Sequence, residues 1–248
     1  MNDAILNNYQ RWTERAIADV DVINELKDIA ENEGKIEDAF YKDLAFGTGG
    51  LRGVIGAGTN RLNVYTVAKA SQGLADYVIK NFAPEKRKIA VSFDSRIKSD
   101  VFAKVASGVF AANGIKVEIY SELMPTPCLS FAVRYLGCAA GVMVTASHNP
   151  AKYNGYKVYW EDGAQVTPPH DTGIMAEVAK VTSFDMVRTM EKEKAQAEGL
   201  YQIISDDVDE SYFAELRNLS IHPEIIKKMA KDIKIVYTPL HGTGLGPV

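Results

Sequence analysis

The chain has 248 residues and a hydrophobic content of 46%, which suffices for one large packed domain or two modest ones. Its 28 Lys and Arg residues and 32 Asp and Glu residues give a formal net charge of -4, and no block of like charges occurs. We therefore expect no nucleic-acid partner. The sequence shows neither a signal-like N-terminus nor a run of roughly 18 apolar residues, so we expect a cytoplasmic protein without a membrane partner.

Apolar residues recur at nearly helical spacing from about Trp12 to Ala30, and this pattern predicts one amphipathic helix. The next segment, Gly47-Thr48-Gly49-Gly50-Leu51-Arg52-Gly53, contains four glycines. Such a segment predicts a loop in which the backbone approaches another part of the molecule closely. Asn63 then fits the N-cap of a helix that runs to about Phe82.

From Lys88 onward, strand and helix patterns alternate. Ile89 to Phe93 and Ala139 to Val144 predict buried strands, and Ile115 to Ile119 predicts a half-buried strand. A helix opened by Ser99 and a short helix after Pro127 separate them. The alternation predicts an α/β fold of packed layers with parallel strands, while Tyr156 to Trp160 fits an antiparallel neighbour, which would make the sheet mixed.

The chain turns polar between about Thr182 and Gly199, and we predict a domain boundary there. The predicted division is a helical extension over 1–40, a first domain over 41–200, and the truncated start of a second, similar domain over 201–248. Within the last part, Ile233 to Tyr237 predicts a buried strand. Cys128 and Cys138 lie beside apolar segments, so free buried thiols are expected.

The stretch Val144-Thr145-Ala146-Ser147-His148-Asn149-Pro150 carries the most chemical information. It predicts a strand that ends in a polar turn, and α/β proteins bind ligands at such strand ends. From the residues alone, a serine beside a histidine is most often simply part of a turn. A hydrolase is a weaker interpretation, because the Gly-x-Ser-x-Gly elbow is absent.

Taken with Asn154-Gly155-Tyr156-Lys157, this stretch resembles the phosphoserine loop of the α-D-phosphohexomutases, the phosphoglucomutase and phosphomannomutase superfamily. Two further motifs agree: the glycine loop ending in Arg52 and the strand-end Asp94-Ser95-Arg96. The resemblance covers roughly Tyr41 to Val248. The helical lead-in and the form of the glycine loop are more like the phosphoglucomutase-2 and phosphopentomutase branch. The implied first domain is a three-layer α/β/α unit.

The resemblance implies that Ser147 carries a phosphoryl group, that Arg52 and Thr48 bind phosphate, and that Lys157 moves a proton. His148 would position the phosphoserine or assist proton movement. A phosphoserine brings about -1.5 to -2 charges, which a metal and fixed donors must neutralise. The family implies Mg²⁺ bound through the phosphate of Ser147 and by three aspartates. That aspartate loop is absent from this sequence.

The expected function is interconversion of sugar 1-phosphate and 6-phosphate through a phosphoserine and a sugar 1,6-bisphosphate intermediate, with glucose or mannose phosphate as substrate. Two alternatives stay open: a phosphopentomutase acting on ribose or deoxyribose phosphate, and a non-catalytic protein that binds sugar phosphate. This chain alone is expected to be inactive. The oligomeric state is left open by the sequence.

Overall fold

The computed structural model describes residues 2–47 and 49–248. The helices are, in chain order, α1 Asp3–Arg15, α2 Val20–Asp28, α3 Glu33–Phe40, α4 Val64–Asn81, α5 Ser99–Ala112, α6 Thr126–Tyr135, α7 His170–Lys180, α8 Lys192–Ala197, α9 Asp206–Asn218 and α10 Pro223–Met229. The strands are β1 Phe46–Gly47, β2 Gly50–Val54, β3 Lys88–Phe93, β4 Lys116–Ile119, β5 Ala140–Val144, β6 Tyr153–Trp160 and β7 Tyr201–Ile203. Two short 3₁₀ turns lie at Pro84–Lys86 and Phe184–Met186.

The strands form one mixed sheet in the order β1-β2-β6-β5-β3-β4-β7. Strands β5, β3, β4 and β7 are parallel, and β6 turns back to run antiparallel to β5. Strand β2 is antiparallel to β6, and β1 to β2. The predicted α/β fold with an antiparallel strand from Tyr156 to Trp160 is therefore confirmed, although that strand begins three residues earlier, at Tyr153.

Helices cover both faces of this sheet. On one face, α4 and α5 pack their apolar side chains, among them Leu74 and Phe102, against Val91 and Val142 of the central strands. On the other face, α6 packs Leu129 and other residues against a smaller apolar cluster in the sheet. Central strands buried on both faces explain the continuous apolar runs in the sequence. The result is three layers, α/β/α.

Local signals set the helix ends that the sequence predicts. The Asn63 side chain accepts hydrogen bonds from the backbone N–H groups of Tyr65 and Thr66, while the Thr66 hydroxyl accepts one from the backbone N–H of Asn63. This capping box starts α4 at Val64, one residue after the predicted cap.

Cys128 and Cys138 are free and buried, as predicted, and burial raises the pKa of each thiol to about 12.

The single helix predicted from Trp12 to Ala30 is wrong, because the chain breaks between α1 and α2. The side chain of Asp19 accepts hydrogen bonds from the backbone N–H groups of Asp21 and Val22 and so starts a new helix. Of the apolar positions in the predicted repeat, Trp12 is buried against Phe40 of α3, but Ile17 is 73% exposed at the break.

The half-buried strand predicted around Val117 is also wrong in one respect. Strand β4 lies between β3 and β7, so both of its edges are paired, and its last three residues are all buried. Glu118 is therefore buried, with its carboxylate 3.6 Å from the Lys88 ammonium nitrogen on the neighbouring strand. The sequence did not reveal β7, a strand of three residues that completes this burial.

The strand predicted from Ile233 to Tyr237 does not form. This segment has no regular secondary structure, and Val236 is fully exposed. No described strand lies beside it to accept or donate ladder hydrogen bonds, and an isolated strand is not stable in water.

Strand β7 joins the sheet just after residue 200, where the sequence places the domain boundary. The division into domains stays a prediction.

The packing of α7 on α4 predicts a pH dependence of stability. The Glu177 carboxylate, which is buried, accepts hydrogen bonds from Lys80 of α4 at 2.5 Å and Lys180 at 2.9 Å, and these contacts lower the pKa of Glu177. A lowered folded-state pKa stabilises the fold above the unfolded pKa of about 4.3, and that stabilisation is lost as the pH falls through the folded value. Glu177→Gln should therefore lower Tm at pH 7 and have little effect near pH 3.

Calorimetry between pH 3 and pH 7 measures this difference. Glu85→Gln is the matched control, because Glu85 is exposed and should leave Tm unchanged throughout. An equal loss of Tm for Glu177→Gln at both ends of the range would contradict the charge-based explanation.

Candidate active site

A cleft of about 750 Å³ opens where the carboxyl ends of the parallel strands meet. This edge of an open α/β sheet is the usual place for a ligand site. Its lining comes from the segments that follow β3 and β5, from the start of α6 and from a distant C-terminal turn. The residues are Asp94–Ile97, Thr126, Met143, Thr145, Ser147–Asn149, Ala151 and His241–Thr243.

Ser147 lies in this cleft, three residues after the end of β5, and its side chain is exposed. Its hydroxyl oxygen is 3.3 Å from Nδ1 of His148. The backbone of Ser147 has φ = 56°, in the left-handed region that few residues other than glycine adopt. Such backbone strain persists only where surrounding contacts enforce it, and it is concentrated at functional sites. The structure thus places the Ser147 hydroxyl and the His148 ring within hydrogen-bonding distance of each other.

A hydrogen-bonded chain links Ser147 to the end of the neighbouring strand β3. The backbone N–H of Ser147 donates to Oγ1 of Thr145 at 2.9 Å, and the Thr145 hydroxyl donates to Oδ2 of Asp94 at 2.5 Å. The other Asp94 oxygen accepts from the Ser99 hydroxyl and from the backbone N–H of Arg96. Asp94 therefore holds the loop after β5 and the loop after β3 together.

The guanidinium of Arg96 lies under the same loop. Its two terminal nitrogens donate to four backbone carbonyl oxygens: Ser147 and Asn149 at 2.5 Å each, Tyr153 at 2.9 Å and Pro150 at 3.2 Å. Its Nε is 3.6 Å from Oδ2 of Asp94. The sequence identified Asp94 and Arg96 only as a strand-end motif, and this role in holding the serine loop became visible in the structure.

Arg52 reaches the same face of the sheet through strand pairing. On β2 it lies opposite Gly155 of β6, and the carbonyl oxygen of Gly155 in turn accepts a hydrogen bond from the backbone N–H of Thr145. Residues directly opposite in antiparallel strands share a face, and strands are about 4.8 Å apart, so Arg52 lies roughly 10 Å from Thr145 between Cα atoms. Its side chain is exposed, and no described residue forms an ion pair with it.

Lys157 occupies the next row of this face. It lies opposite Met143 of β5, which lines the cleft, and it is two residues along β6 from Gly155. Neither Lys157 nor Arg52 is among the described residues that line the cleft. The structure thus puts both on the face of the sheet that carries Met143 and Thr145, but outside the lining of the cleft that contains Ser147. Lys157 is partly buried.

The glycine segment approaches β6 closely, as predicted, but the loop predicted over Gly47 to Gly53 is wrong, because β1 and β2 take up most of it. A side chain at Gly50, which has φ = 154°, would collide with the carbonyl oxygen of Tyr156, so only glycine allows β2 to pair here. Gly155 is restricted in the same way, because a Cβ there would lie 2.5 Å from the carbonyl oxygen of Thr145. Thr48, the other predicted phosphate-binding residue of this loop, lies outside the described residues.

The described residues do not form a Mg²⁺ site by themselves. They contain no cluster of three or more His, Cys, Asp or Glu side chains suited to a metal. Asp94 is the carboxylate in the cleft, and both of its oxygens already accept hydrogen bonds from protein groups. A metal bound to a phosphate on Ser147 would therefore need carboxylates from elsewhere.

A second cavity of about 440 Å³ lies on the opposite side of the sheet. It is enclosed by α4, α7, the N-terminal helices and the β1–β2 hairpin, with Trp12, Leu51 and Phe184 among its walls. Its walls are mainly apolar and it contains none of the predicted site residues that the structure describes. The cleft around Ser147 is therefore the better candidate for chemistry.

In the described part of the chain, no helix is both long and apolar enough to cross a membrane.

Comparison with known proteins agrees with this fold. Residues 43–185 match the domain family described as phosphoglucomutase/phosphomannomutase, alpha/beta/alpha domain I. The matched segment contains the glycine loop, the strand-end Asp94 and Arg96, and the loop of Ser147. The chain belongs to this family.

The relatives and a solved structure are consistent with this assignment. The chain is 34% identical over 242 residues to the human protein named phosphopentomutase, covering 94% of this chain and 39% of that protein. It is 36% identical over 231 residues to a phosphoglucomutase of Staphylococcus epidermidis, covering 91% and 41%. Parafusin from Paramecium, in its open form, shares the fold with a TM-score of 0.64 at 20% identity, over 84% of this chain and 40% of that one. The chain thus spans about two fifths of the length of these relatives.

Proposed function

We propose that the whole protein that carries this sequence is an intramolecular phosphotransferase that interconverts a sugar 1-phosphate and a sugar 6-phosphate. One observation carries the proposal: an exposed serine hydroxyl, with a histidine nitrogen 3.3 Å away, is held in a left-handed backbone conformation at the carboxyl edge of the sheet. Family membership and relatives named as phosphomutases support it.

In this proposal phosphorylated Ser147 transfers its phosphoryl group to one sugar hydroxyl. Ser147 then accepts the phosphoryl group that the sugar carries on another hydroxyl. The serine–phosphorus bond breaks as the sugar–phosphorus bond forms, and the sugar hydroxyl proton passes to a protein base. Lys157 is the proposed proton shuttle, and His148 is placed to position the Ser147 oxygen or to assist. Arg52 and Thr48 are proposed to bind phosphate oxygens, because a guanidinium matches them with paired N–H groups.

The sugar is the less settled part of the proposal. We retain glucose or mannose phosphate as the first candidate, and a sugar 1,6-bisphosphate as intermediate and activator. A phosphopentomutase acting on ribose or deoxyribose phosphate is a specific alternative, favoured by the 34% identity to a human protein of that name. The third candidate, a non-catalytic sugar-phosphate-binding protein, is supported by the missing carboxylate set for Mg²⁺ among the described residues.

The first prediction concerns the phosphoryl carrier. When the whole protein is incubated with glucose 1,6-bisphosphate, Ser147 should become phosphorylated, and Ser147→Ala should abolish both this modification and turnover. Intact-mass and phosphopeptide analysis provide the measurement. Ser95→Ala is the matched control, because Ser95 lines the same cleft but hydrogen-bonds only to the carbonyl oxygen of His241 among described residues. Phosphorylation that persists in the Ser147→Ala protein would disprove the assignment.

The second prediction concerns Arg52. Arg52→Ala should lower kcat/KM at least tenfold in the whole protein, because one charged hydrogen bond to phosphate contributes about 1.5–3 kcal/mol. The exposed Arg52 side chain makes no contact that stabilises the fold, so Tm should stay within about two degrees of the wild-type value. Arg61→Ala serves as control, since Arg61 binds Asp38 away from the cleft. An unchanged kcat/KM would place the glycine loop outside the site.

The third prediction tests the function and its alternatives together. With Mg²⁺ and the matching bisphosphate activator, the whole protein should convert glucose 1-phosphate, and residues 1–248 alone should not. This chain supplies one wall of a site, and positioning and charge neutralisation provide most of the rate in phosphoryl transfer. Coupled assays with glucose, mannose, ribose and deoxyribose 1-phosphates rank the substrates by kcat/KM.

Each result of that assay decides between the candidates. Preference for a pentose phosphate would replace the hexose assignment with the phosphopentomutase alternative. Sugar-phosphate binding without turnover of any substrate would favour the non-catalytic alternative. Equal turnover by the chain and by the whole protein would contradict the expectation that this chain alone is inactive.

A further inference from the structure

Arg96 has no N–H group left for a ligand. A guanidinium has five N–H bonds, and the structure directs the four on the terminal nitrogens to carbonyl oxygens of the Ser147–Tyr153 segment. The fifth, on Nε, faces Oδ2 of Asp94 at 3.6 Å. The Arg96 side chain is only 13% exposed. Arg96 therefore lines the cleft, but its N–H groups are directed to the serine loop and to Asp94.

Asp94 holds the same loop at its other end. It accepts the hydroxyl proton of Thr145 at 2.5 Å, and Thr145 Oγ1 accepts the backbone N–H of Ser147 at 2.9 Å. Its second oxygen is held by Ser99 and by the Arg96 backbone. Ser147 is thus fixed on both sides: its N–H is bound through Thr145 to Asp94, and its carbonyl oxygen is bound to Arg96.

We propose that Arg96, Asp94 and Thr145 are positioning residues that hold Ser147 for phosphoryl transfer to sugar and limit transfer to water. This inference rests on the proposed function, because it assumes that Ser147 carries the phosphoryl group. These contacts enforce the strained φ of 56° and so fix the direction in which the serine oxygen points.

Positioning of this kind acts on the choice between two acceptors. In transfer to sugar, the serine–phosphorus bond breaks as a sugar oxygen bonds to phosphorus. In hydrolysis, a water oxygen bonds to phosphorus instead, serine regains its proton and inorganic phosphate leaves. A loop displaced by about 1 Å can lose on the order of 100-fold in an aligned transfer. Attack by water depends much less on the position of the phosphate, because water can approach it from every open side.

The test compares the ratio of bisphosphate hydrolysis to mutase turnover in variants of the whole protein. This ratio does not depend on how much of the protein is folded, so a loss of stability alone cannot change it. Arg96→Ala and Arg96→Lys should each raise the ratio about tenfold or more. Alanine removes every donor, and lysine keeps the charge but cannot reach four separated carbonyls. They should lower mutase kcat by about 10–100-fold while KM for the sugar phosphate changes less than threefold.

Two matched pairs make the test specific. Arg87 also donates to backbone carbonyls, those of Phe82 and Ile79, but it lies at the opposite end of β3. Arg87→Ala should therefore lower Tm without changing the ratio. Thr145→Val removes the hydroxyl at nearly constant volume and should raise the ratio, whereas Thr145→Ser keeps the oxygen and should restore the wild-type value. The threonine pair also supplies the test if the Arg96 variants do not fold.

Added guanidinium ion offers a third readout. Millimolar guanidinium chloride should partly restore the mutase rate of Arg96→Ala and should not affect Arg87→Ala. An unchanged ratio in both Arg96→Ala and Thr145→Val, with wild-type turnover intact, would overturn the positioning role. Absence of both turnover and Ser147 phosphorylation in the wild-type protein would instead overturn the proposed function.

Discussion

Four backbone carbonyl oxygens, three in the loop after β5 and one on the first residue of β6, accept hydrogen bonds from a single side chain, and the rest of the site depends on how these groups are satisfied. Backbone acceptors that lose water must find donors within the protein. Arg96 supplies four N–H groups at once, and Asp94 and Thr145 hold the opposite side of the loop. Because Asp94 and Arg96 both follow β3, the serine loop is attached to the strand beside the central strand β5. Ser147 can then be exposed and yet fixed.

The return of β6 antiparallel to β5 determines which distant residues share the site's face. It puts Gly155 beside Thr145 and Lys157 beside Met143, and β2 extends the same rows to Arg52 and Gly50. Glycine at positions 50 and 155 is a steric requirement, since a side chain at either would meet a backbone carbonyl oxygen. A negatively charged ligand above this face would meet Arg52 and Lys157 from one side.

The described residues provide an exposed serine, the residues that hold its loop and two cations on the same face of the sheet, but no carboxylate set for a divalent metal. Phosphoryl transfer relies on neutralising the charge of the phosphate from several directions. The chain spans about two fifths of the length of its relatives. The turn at His241–Thr243, which reaches the cleft through the hydrogen bond from Ser95 to the His241 carbonyl, shows that residues far along the chain contribute to the cleft.

The sequence by itself determined the central strands, the capped helix α4 and the identity of Ser147, His148, Arg52 and Lys157 as candidates, because apolar runs, Asn63 and the motifs are local signals. Long-range pairing decided most of the rest, and a local cap decided one helix break. The burial of Glu118 depends on β7, which is too short to be recognised, and the break at Asp19 reflects a local cap that interrupts an otherwise continuous apolar repeat. The strand pattern at Ile233–Tyr237 remained without a partner, so propensity alone did not make a strand. Only the tertiary structure showed that Arg96 binds the serine loop, since its four acceptors are backbone carbonyls, which carry no signature in an amino-acid sequence.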